Sequence, residues 1–407
     1  MDGKKKNSVR MEIAFLLCMC ALNAHKTGST MDVVLCVLTF LWMLFSLSLE
    51  MRNTRFVIPC SKSLVHYTLF ILLYYSSCLW TRSITDTLSY SSYLIQLMGF
   101  VFTLNYLIRT DEDVNKYMEL ILLSLIYMII MLVLKTPIST WGSERVGGAI
   151  GLNENDLGVR CAIGVLLSFY FVKKKPIIYK ISLGVFFVVA LLSGSRKAMI
   201  MVFAVFLLFY VWQEHGFKAF RNAVIAIIFI SVIFYVIMNN QMLYAVLGYR
   251  VQVMLNKFNL GSKVKSIGYT INSYSIEERT ELRNYAFNMF LEHPILGWGG
   301  DGFRTHMQQT GLARATYSHC NYTELLATLG IVGFVLYYSY ELLILLKGVK
   351  GFSRTRDRGM LLVLVFVAIN MFAEFFYVSY YSPIIQVVLL LMDCYVNFNM
   401  LQKKNGA

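Results

Sequence analysis

Twelve apolar stretches follow one another along this chain, and they constrain its fold more than any other feature. Each has roughly the length, about 20 residues, that an α-helix needs to cross the hydrocarbon core of a bilayer. Hydrophobic residues make up 57% of the 407-residue sequence and charged residues only 15%, which is outside the range of soluble globular proteins. The stretches lie at 11–25, 31–49, 64–81, 89–108, 117–135, 157–172, 177–194, 198–213, 222–239, 321–346, 360–378 and 383–400. We therefore predict an all-α fold, a polytopic integral membrane helical bundle with about twelve (10–12) transmembrane helices.

Lys and Arg residues are distributed unevenly between the two sides that such a bundle would have. The formal net charge of +14 is of the kind that nucleic-acid-binding proteins show, but membrane proteins also collect Lys and Arg in their cytoplasmic loops. With the N-terminus inside, the basic clusters at 4–6, 173–175 and 347–358 all lie on the cytoplasmic side. The asymmetry predicts a multi-pass plasma (inner) membrane protein with both termini in the cytoplasm, and it predicts no nucleic-acid partner.

Two of the segments on the outer side are longer than a turn. The first, 136–156, is rich in Gly and Asn, and the second, 240–320, is too long to be a simple connection. We therefore divide the chain into N-terminal transmembrane helices at 1–239 (about nine, including the loop 136–156), a large extracytoplasmic loop at 240–320, and about three C-terminal transmembrane helices at 321–407.

The large loop contains the pattern of an amphipathic helix. Ser275 and Glu278 have the spacing of a capping box, and Pro294 with the glycines after it ends the pattern. Apolar residues at helical spacing form one stripe: Leu282, Tyr285, Ala286, Met289 and Phe290. We expect this helix to lie at the outer membrane surface, with Arg279 and Arg283 on its polar side.

Several polar residues near the predicted outer surface are candidates for chemistry. Arg279 and Arg283 could form a phosphate clamp, because a guanidinium group binds phosphate oxygens in pairs; the alternative is a solvated face or contact with lipid headgroups. His319, just before the helix predicted from 321, could act as a general base or be an interfacial polar residue. Arg196, in a tight turn between apolar helices, indicates function, unless it extends to the headgroups beside Lys197.

A second group of residues is predicted to bind substrate. Arg145 and Asn155 lie in the Gly- and Asn-rich outer loop near Trp141, a combination that occurs in sugar recognition, although a plain turn-rich loop would look the same. Glu324 lies inside an apolar helix, where acids usually face a cavity. His293, His306 and His319 match no metal-binding spacing, so we predict neither a metal nor a cofactor. Gly330 and Gly333 are interpreted as sites of close helix packing.

These residues resemble motifs of the O-antigen ligase family, whose superfamily includes Wzy-type polysaccharide polymerases. His319-Cys320, followed after 321–329 by Gly330-Ile331-Val332-Gly333, is similar to the family's His motif, with Cys320 in place of the usual Asn, Ser or Gln. Arg196–Ile200 resembles its Arg-x-x-x-Leu element. Arg279 with His293-Pro294 and LGWGGDGF resembles its Arg…His-Pro…Gly stretch, and Arg145…Gly148…Asn153-Glu154-Asn155 resembles an earlier loop, with Glu154 where Pro is common.

The resemblance implies a metal-independent, inverting glycosyltransferase of the GT-C type, acting on the outer face of the membrane. Its donor would be a polyprenyl-diphosphate (undecaprenyl-type) glycan and its acceptor a second glycan, with membrane lipids around it and a flippase and a chain-length regulator as partner proteins. Arg196 and Arg279 would bind the donor diphosphate, and His319 would act on the acceptor hydroxyl as base or positioner.

Three functions remain open from the sequence. A polymerase would join lipid-linked repeat units into O-antigen or capsule polysaccharide, whereas a ligase would transfer the finished glycan to a different lipid or cell-wall acceptor. A transporter of the same lipid-linked glycan would be expected to show inverted repeats and broken helices. We favour the polymerase.

Overall fold

The computed structural model describes residues 2–25, 29–52, 61–137, 141, 146–193, 195–212, 214, 216–244, 248, 252, 274–310 and 316–405. These residues form helices and turns, without a β-strand among them. In chain order the helices are α1 Asp2–Ala24, α2 Thr30–Arg52, α3 Lys62–Ser76, α4 Ile84–Thr87, α5 Ser91–Leu107, α6 Asp111–Lys135, α7 Glu154–Phe171, α8 Pro176–Leu192, α9 Arg196–Trp212, α10 Gly216–Asn239, α11 Gln241–Leu243, α12 Tyr274–Glu292, α13 Gly302–Thr310, α14 Asn321–Thr355, α15 Arg358–Ala373 and α16 Pro383–Asn405.

Each apolar stretch found in the sequence overlaps a helix over most of its length. Among the described residues, α2, α6, α10 and α14 are long and apolar enough to cross a membrane, and Pro176–Leu192, Arg358–Ala373 and Pro383–Asn399 are shorter apolar helices. This confirms an all-α membrane protein. The number of transmembrane helices, the orientation of the chain and its division at 239 and 320 stay predictions.

The chain folds into two compact units, each built from three separate segments. The first comprises Met1–Glu50, Asn115–Thr270 and Gly351–Ile369. Its centre is α7, which packs closely against α8 and α9 because glycines let the helices approach: a Cβ on Gly158 would lie 2.3 Å from the Ala198 Cβ, and one on Gly164 would lie 2.8 Å from the Phe186 ring. A cleft of about 370 Å³ with apolar walls lies between α8, α9 and α10.

The second unit comprises Met51–Val114, Ile271–Lys350 and Asn370–Ala407. Its core includes Phe70, Tyr74, Leu325, Tyr337 and Tyr380. Buried polar side chains cross this core and bond to one another, as the hydrocarbon region of a bilayer requires. They include Tyr67, whose hydroxyl donates to the Gln386 side chain at 2.8 Å, and Asn370, whose amide donates to Glu341 at 2.8 Å and Glu374 at 3.2 Å.

Helix α14 is broken at Gly330, which has φ 61° and ψ −163°. The turn 294–299 fills the break with backbone hydrogen bonds. The N–H groups of Ile331 and Val332 donate to the carbonyls of Pro294 and Ile295 at 2.8 and 3.2 Å. On the other side of the break, the N–H groups of Trp298 and Gly299 donate to the carbonyls of Ala327 and Thr328 at 2.9 and 2.8 Å. The backbone groups that the break would leave without partners are thus satisfied.

This arrangement differs from the helix packing predicted for Gly330. A Cβ at this position would lie 2.3 Å from the carbonyl oxygen of Ile295, so the glycine admits the backbone of a turn, not a neighbouring helix. Gly297, with φ 65°, faces it from the turn: a Cβ there would lie 2.5 Å from the Thr328 carbonyl.

Helix α12 forms where the amphipathic pattern predicts it, but its apolar stripe faces inward. Leu282, Ala286 and Met289 are buried against α13 and α14, in a cluster with Phe303 and Ala327. The stripe therefore packs within the protein because α13 and α14 supply apolar partners, which the pattern of α12 alone does not reveal. The described helix includes Tyr274, so Ser275 lies inside it and not at its N-cap.

Candidate active site

His319 lies in a tight turn immediately before α14. Its backbone has φ 58°, in the left-handed region that non-glycine residues rarely adopt and that recurs at functional sites. Its ring lies 4.2 Å from the Tyr317 ring, centroid to centroid. The Glu324 carboxylate, one turn inside α14, accepts a hydrogen bond from the Ser318 N–H at 2.6 Å, and the Ser318 hydroxyl donates to the Cys320 carbonyl at 2.9 Å. Glu324 therefore holds the backbone that presents His319.

Asn321, the first residue of α14, ties the same turn to the segment that follows α15. Its N–H donates to the carbonyl of Glu374 at 2.7 Å, and its side-chain oxygen accepts from the N–H groups of Ser379 and Tyr380 at 3.0 and 3.3 Å. Its amide nitrogen donates to the Tyr338 hydroxyl at 2.9 Å. These contacts give Asn321 a positioning role beside His319; its predicted contact with substrate stays a prediction.

Asp301 is a buried acid in this unit that the sequence analysis did not single out. Only 1% of the residue is exposed, and its backbone has φ 54°. The Ser89 hydroxyl donates to its carboxylate at 3.3 Å, and Arg304 forms a long ion pair with it at 3.5 Å. Burial and the nearby Glu324 carboxyl raise the pKa of Asp301 to about 7, so this group exchanges a proton at neutral pH.

Tyrosines surround these acids. The rings of Tyr90 and Tyr381 are stacked, with centroids 4.4 Å apart and planes 14° apart. Both rings are half-buried. Tyr90 is close to Asp301, Glu324 and Arg304, and Tyr381 is close to Glu324 and Tyr317. We call Tyr90, Asp301, Arg304, Glu324 and Tyr381 the acid–tyrosine cluster.

The pKa of Asp301 gives the protein a pH-dependent stability that one substitution tests. The pKa is raised on folding, so its stabilising contribution is complete below about pH 4 and is lost as the pH rises through about 7. Asp301→Asn removes this dependence, so the variant should gain stability relative to the wild type between pH 5 and pH 8, by about 3 kcal/mol. Thermal unfolding of both proteins in detergent at the two pH values measures the change. An unchanged difference between the two midpoints would contradict the buried carboxyl.

The two arginines of α12 lie one turn apart on one face, both half-buried, and the Arg283 Nε donates to the Arg279 carbonyl at 3.0 Å. Among the residues that the structure describes, no acid or carbonyl contacts the Arg279 guanidinium. The pair is therefore two neighbouring cations of which at least one has its hydrogen-bond donors available for an anion.

Two further predicted site residues lie together in the first unit. Arg196 is the first residue of α9 and is half-buried. The Ser195 hydroxyl donates to the side-chain oxygen of Asn155 at 3.0 Å, and both residues are buried. Asn155 is held in the first turn of α7, which Asn153 caps. The structure thus brings Asn155 beside the residue that precedes Arg196. Arg145 lies outside the described residues.

No curated protein matches the chain. A family model described as O-Antigen ligase matches residues 181–338, a range that begins in α8 and contains Arg196, Arg279, Asp301, His319 and Gly330. The resemblance inferred from the motifs around Arg196, Arg279 and His319 is thereby confirmed: residues 181–338 are similar to the O-Antigen ligase family.

Proposed function

We propose that this protein is a membrane glycosyltransferase that polymerises polyprenyl-diphosphate-linked oligosaccharide repeat units into surface polysaccharide, of the O-antigen or capsule type. The reaction takes place on the outer face of the plasma membrane and is an inverting, metal-independent transfer of the GT-C type. The O-antigen ligase domain supports lipid-linked glycan chemistry in a membrane. The observation that carries the proposal is that one compact unit holds both the arginine pair of α12 and His319 in its strained turn.

The chemistry needs a group that stabilises a leaving diphosphate and a group that handles one proton. The acceptor hydroxyl oxygen attacks the anomeric carbon of the donor, and the bond from that carbon to the diphosphate oxygen breaks, leaving its electron pair on the diphosphate. Arg279, with Arg283 beside it, stabilises the developing negative charge with fixed hydrogen-bond donors. His319 positions the attacking hydroxyl or takes its proton. Arg196 as a further diphosphate ligand stays a prediction.

The apolar cleft of the first unit offers a place for part of the polyprenyl chain. Its walls include Phe187, Phe206 and Ile233, and Leu191 at one end lies only a few residues before Arg196. A chain of isoprene units has the chemistry of this lining, because both are hydrocarbon throughout.

The broken helix α14 bears on the transporter alternative, since transporters use helix breaks to bind ions and substrates with free backbone groups. In this protein the turn 294–299 occupies the break and satisfies its N–H and carbonyl groups. The break therefore serves to dock the turn, and we retain the transferase.

The test is the glycan ladder of a strain that lacks this protein, complemented with variants. A polymerase deletion leaves single repeat units on the lipid carrier, whereas a ligase deletion leaves long polymer on the carrier. His319→Ala should reproduce the deletion pattern, because it removes the group that contacts the acceptor hydroxyl. Gln308→Ala is the control: it removes an exposed polar side chain of the same unit and should restore the full ladder. A normal ladder from His319→Ala at wild-type protein level would refute the site.

A further inference from the structure

Glu341 and Glu374 are two buried acids of the second unit that lie next to each other. They are 1% and 0% exposed. The side-chain nitrogen of Asn370 donates to the Glu341 carboxylate at 2.8 Å and to the Glu374 carboxylate at 3.2 Å, so one amide group separates the two carboxyl groups. Glu341 lies in α14, which is long and apolar enough to cross a membrane, and Glu374 directly follows α15. We call these two residues the carboxyl pair.

Within the described part of the chain, the carboxyl pair has no positive partner, unlike other buried acids of this protein. Asp156 accepts a hydrogen bond from the Arg160 Nε at 2.9 Å, and Asp393 forms an ion pair with Lys347 at 3.3 Å. No described Lys, Arg or His forms an ion pair with either member of the carboxyl pair. Two ionised carboxylates would therefore repel each other strongly, because the dielectric constant around them is low. The pair must bind a positively charged species.

A proton fits this place better than a metal ion. The Asn370 amide is a hydrogen-bond donor and occupies the position between the two carboxylates where an ion would bridge them. The Glu374 Oε1 atom also accepts hydrogen bonds from Tyr337, at 3.1 Å, and from Ser379. The other oxygen of each acid, Oε2, is buried and has no hydrogen-bond partner among the described residues. Because three groups donate to Glu374 and one donates to Glu341, the proton belongs on the Oε2 atom of Glu341.

Glu374 connects the carboxyl pair to the active-site turn. Its carbonyl accepts a hydrogen bond from the Asn321 N–H at 2.7 Å. Its carboxylate accepts one from the Ser379 hydroxyl, and the N–H of the same serine donates to the Asn321 side chain at 3.0 Å. Asn321 is two residues after His319. A movement of Glu374 away from a second negative charge would therefore loosen both contacts that hold Asn321.

The other titratable groups around the carboxyl pair are tyrosines and one ion pair. The Asp393–Lys347 ion pair lies further along α14 and α16 and carries no net charge. Phenol groups stay neutral below about pH 10, so the carboxyl pair is the group that changes charge here between pH 7 and pH 9.5. The tyrosines lie on α3 and α14 and are Tyr67, Tyr322, Tyr337 and Tyr338.

We propose that Glu341 and Glu374 form a proton-binding site: Glu341 holds a proton at neutral pH, and this proton keeps Asn321 where it presents His319. The proton comes from water and returns to water, so the step needs no other reactant. When the proton is lost at alkaline pH, the two carboxylates repel each other, Glu374 moves and transfer slows. The effect on transfer rests on the proposed function, whereas the binding of the proton does not.

Infrared spectroscopy of the purified full-length protein detects the proton without any substrate. The C=O stretching band of a protonated carboxyl group is separate from the bands of a carboxylate and shifts in D2O. The spectrum of the wild type at pH 7 minus that of Glu341→Gln should contain this band, with the intensity of a single carboxyl group. Glu341→Met should give the same band, because an apolar side chain of similar size removes the same proton. Glu281→Gln, which changes an exposed acid of α12, is the control and should leave the band in place.

The pH dependence of transfer tests the link to the active site. In membranes that contain the wild-type protein, the rate should fall at least about tenfold between pH 7 and pH 9.5, because the loss of one proton can change the rate by about tenfold per pH unit. In Glu341→Gln the ratio of the two rates should fall less than about twofold, because an amide has no proton to lose. Glu281→Gln should follow the profile of the wild type.

Two results would overturn the proposal: no protonated-carboxyl band that Glu341→Gln removes, or the same pH profile for the wild type and Glu341→Gln. A thermal midpoint that is higher in sodium chloride than in choline chloride, in the wild type but not in Glu341→Gln, would mean that the pair binds a sodium ion instead. Failure of the proposed function is a different result, namely no transfer by the wild-type protein at any pH while the infrared band is present. Circular dichroism and gel filtration confirm that each variant is folded.

Discussion

Arg279→Ala is expected to lower the rate of glycosyl transfer by about 10²- to 10³-fold, the usual effect of removing one fixed donor from a developing negative charge. Within the described residues the guanidinium has no ion pair to lose, so the substitution should leave folding and insertion intact. The whole effect should therefore appear in the reaction. Arg279→Lys should recover only part of the rate, because an ammonium group keeps the charge but cannot bind two phosphate oxygens in parallel.

The assay uses membranes that contain each variant and the lipid-linked repeat unit extracted from the deletion strain, with protein amounts matched by immunoblot. Glu281→Ala is the control, because it removes a charged and exposed side chain from the same helix and should retain the wild-type rate. A rate for Arg279→Ala above half that of the wild type would exclude the diphosphate role. A loss in Glu281→Ala as well would point to a general disturbance of α12.

The helices of this protein could be predicted from the sequence because the membrane allows little else. Inside hydrocarbon each backbone N–H and carbonyl needs a partner within its own segment, so a long apolar run is a helix whatever surrounds it. The run 117–135 accordingly lies within α6, and 222–239 within α10. The break in α14 could not be predicted in this way, since LGIVGF reads as a continuous apolar run and the turn that enters the break lies some thirty residues earlier in the chain.

Part of the candidate site could be predicted because its residues are close in sequence, and part could not because its residues are far apart in sequence. His319, Asn321 and Glu324 are close in sequence, and their grouping follows from helical spacing. The acid–tyrosine cluster draws on four segments, around Tyr90, Asp301, Glu324 and Tyr381, which only the folded second unit brings together. Asp301 lies in a glycine-rich turn, and its carboxylate contacts Ser89, which is 212 positions earlier in the chain, so the local sequence does not reveal that it is buried.

The periodic pattern of α12 predicts the helix correctly, but it does not show which parts of the protein its apolar residues contact. Leu282, Ala286 and Met289 pack on α13 and α14, while Phe287 and Leu291 are exposed. The helix has apolar residues on more than one side, and the sequence stripe alone does not say which side meets protein.

Gly330→Ala is expected to lower the stability of this protein strongly, although it adds a single methyl group. The backbone at Gly330, with φ 61° and ψ −163°, lies in a region that is open essentially to glycine alone. The new Cβ would also lie 2.3 Å from the Ile295 carbonyl oxygen and 2.7 Å from the Gly297 nitrogen. Both are backbone atoms, so no side-chain rotation can relieve the overlap. Strain and overlap together should destabilise the protein by about 3–5 kcal/mol.

The structural cause of the destabilisation can be measured separately from its magnitude. Alanine at position 330 favours a continuous helix, which would expel the turn 294–299 and leave its backbone groups without their partners in α14. Thermal unfolding in detergent should show a lower midpoint, and limited proteolysis should cut the variant near this turn faster than the wild type. Glycosyl transfer should fall as well, since His319 is held by the helical segment just before the break.

Gly184→Ala is the matched control: this glycine lies in α8 with no atom within 4 Å of the added methyl, so the change should be neutral or slightly stabilising. Equal midpoints for the two variants would mean that α14 tolerates a straight helix and that the docked turn is not needed for the fold.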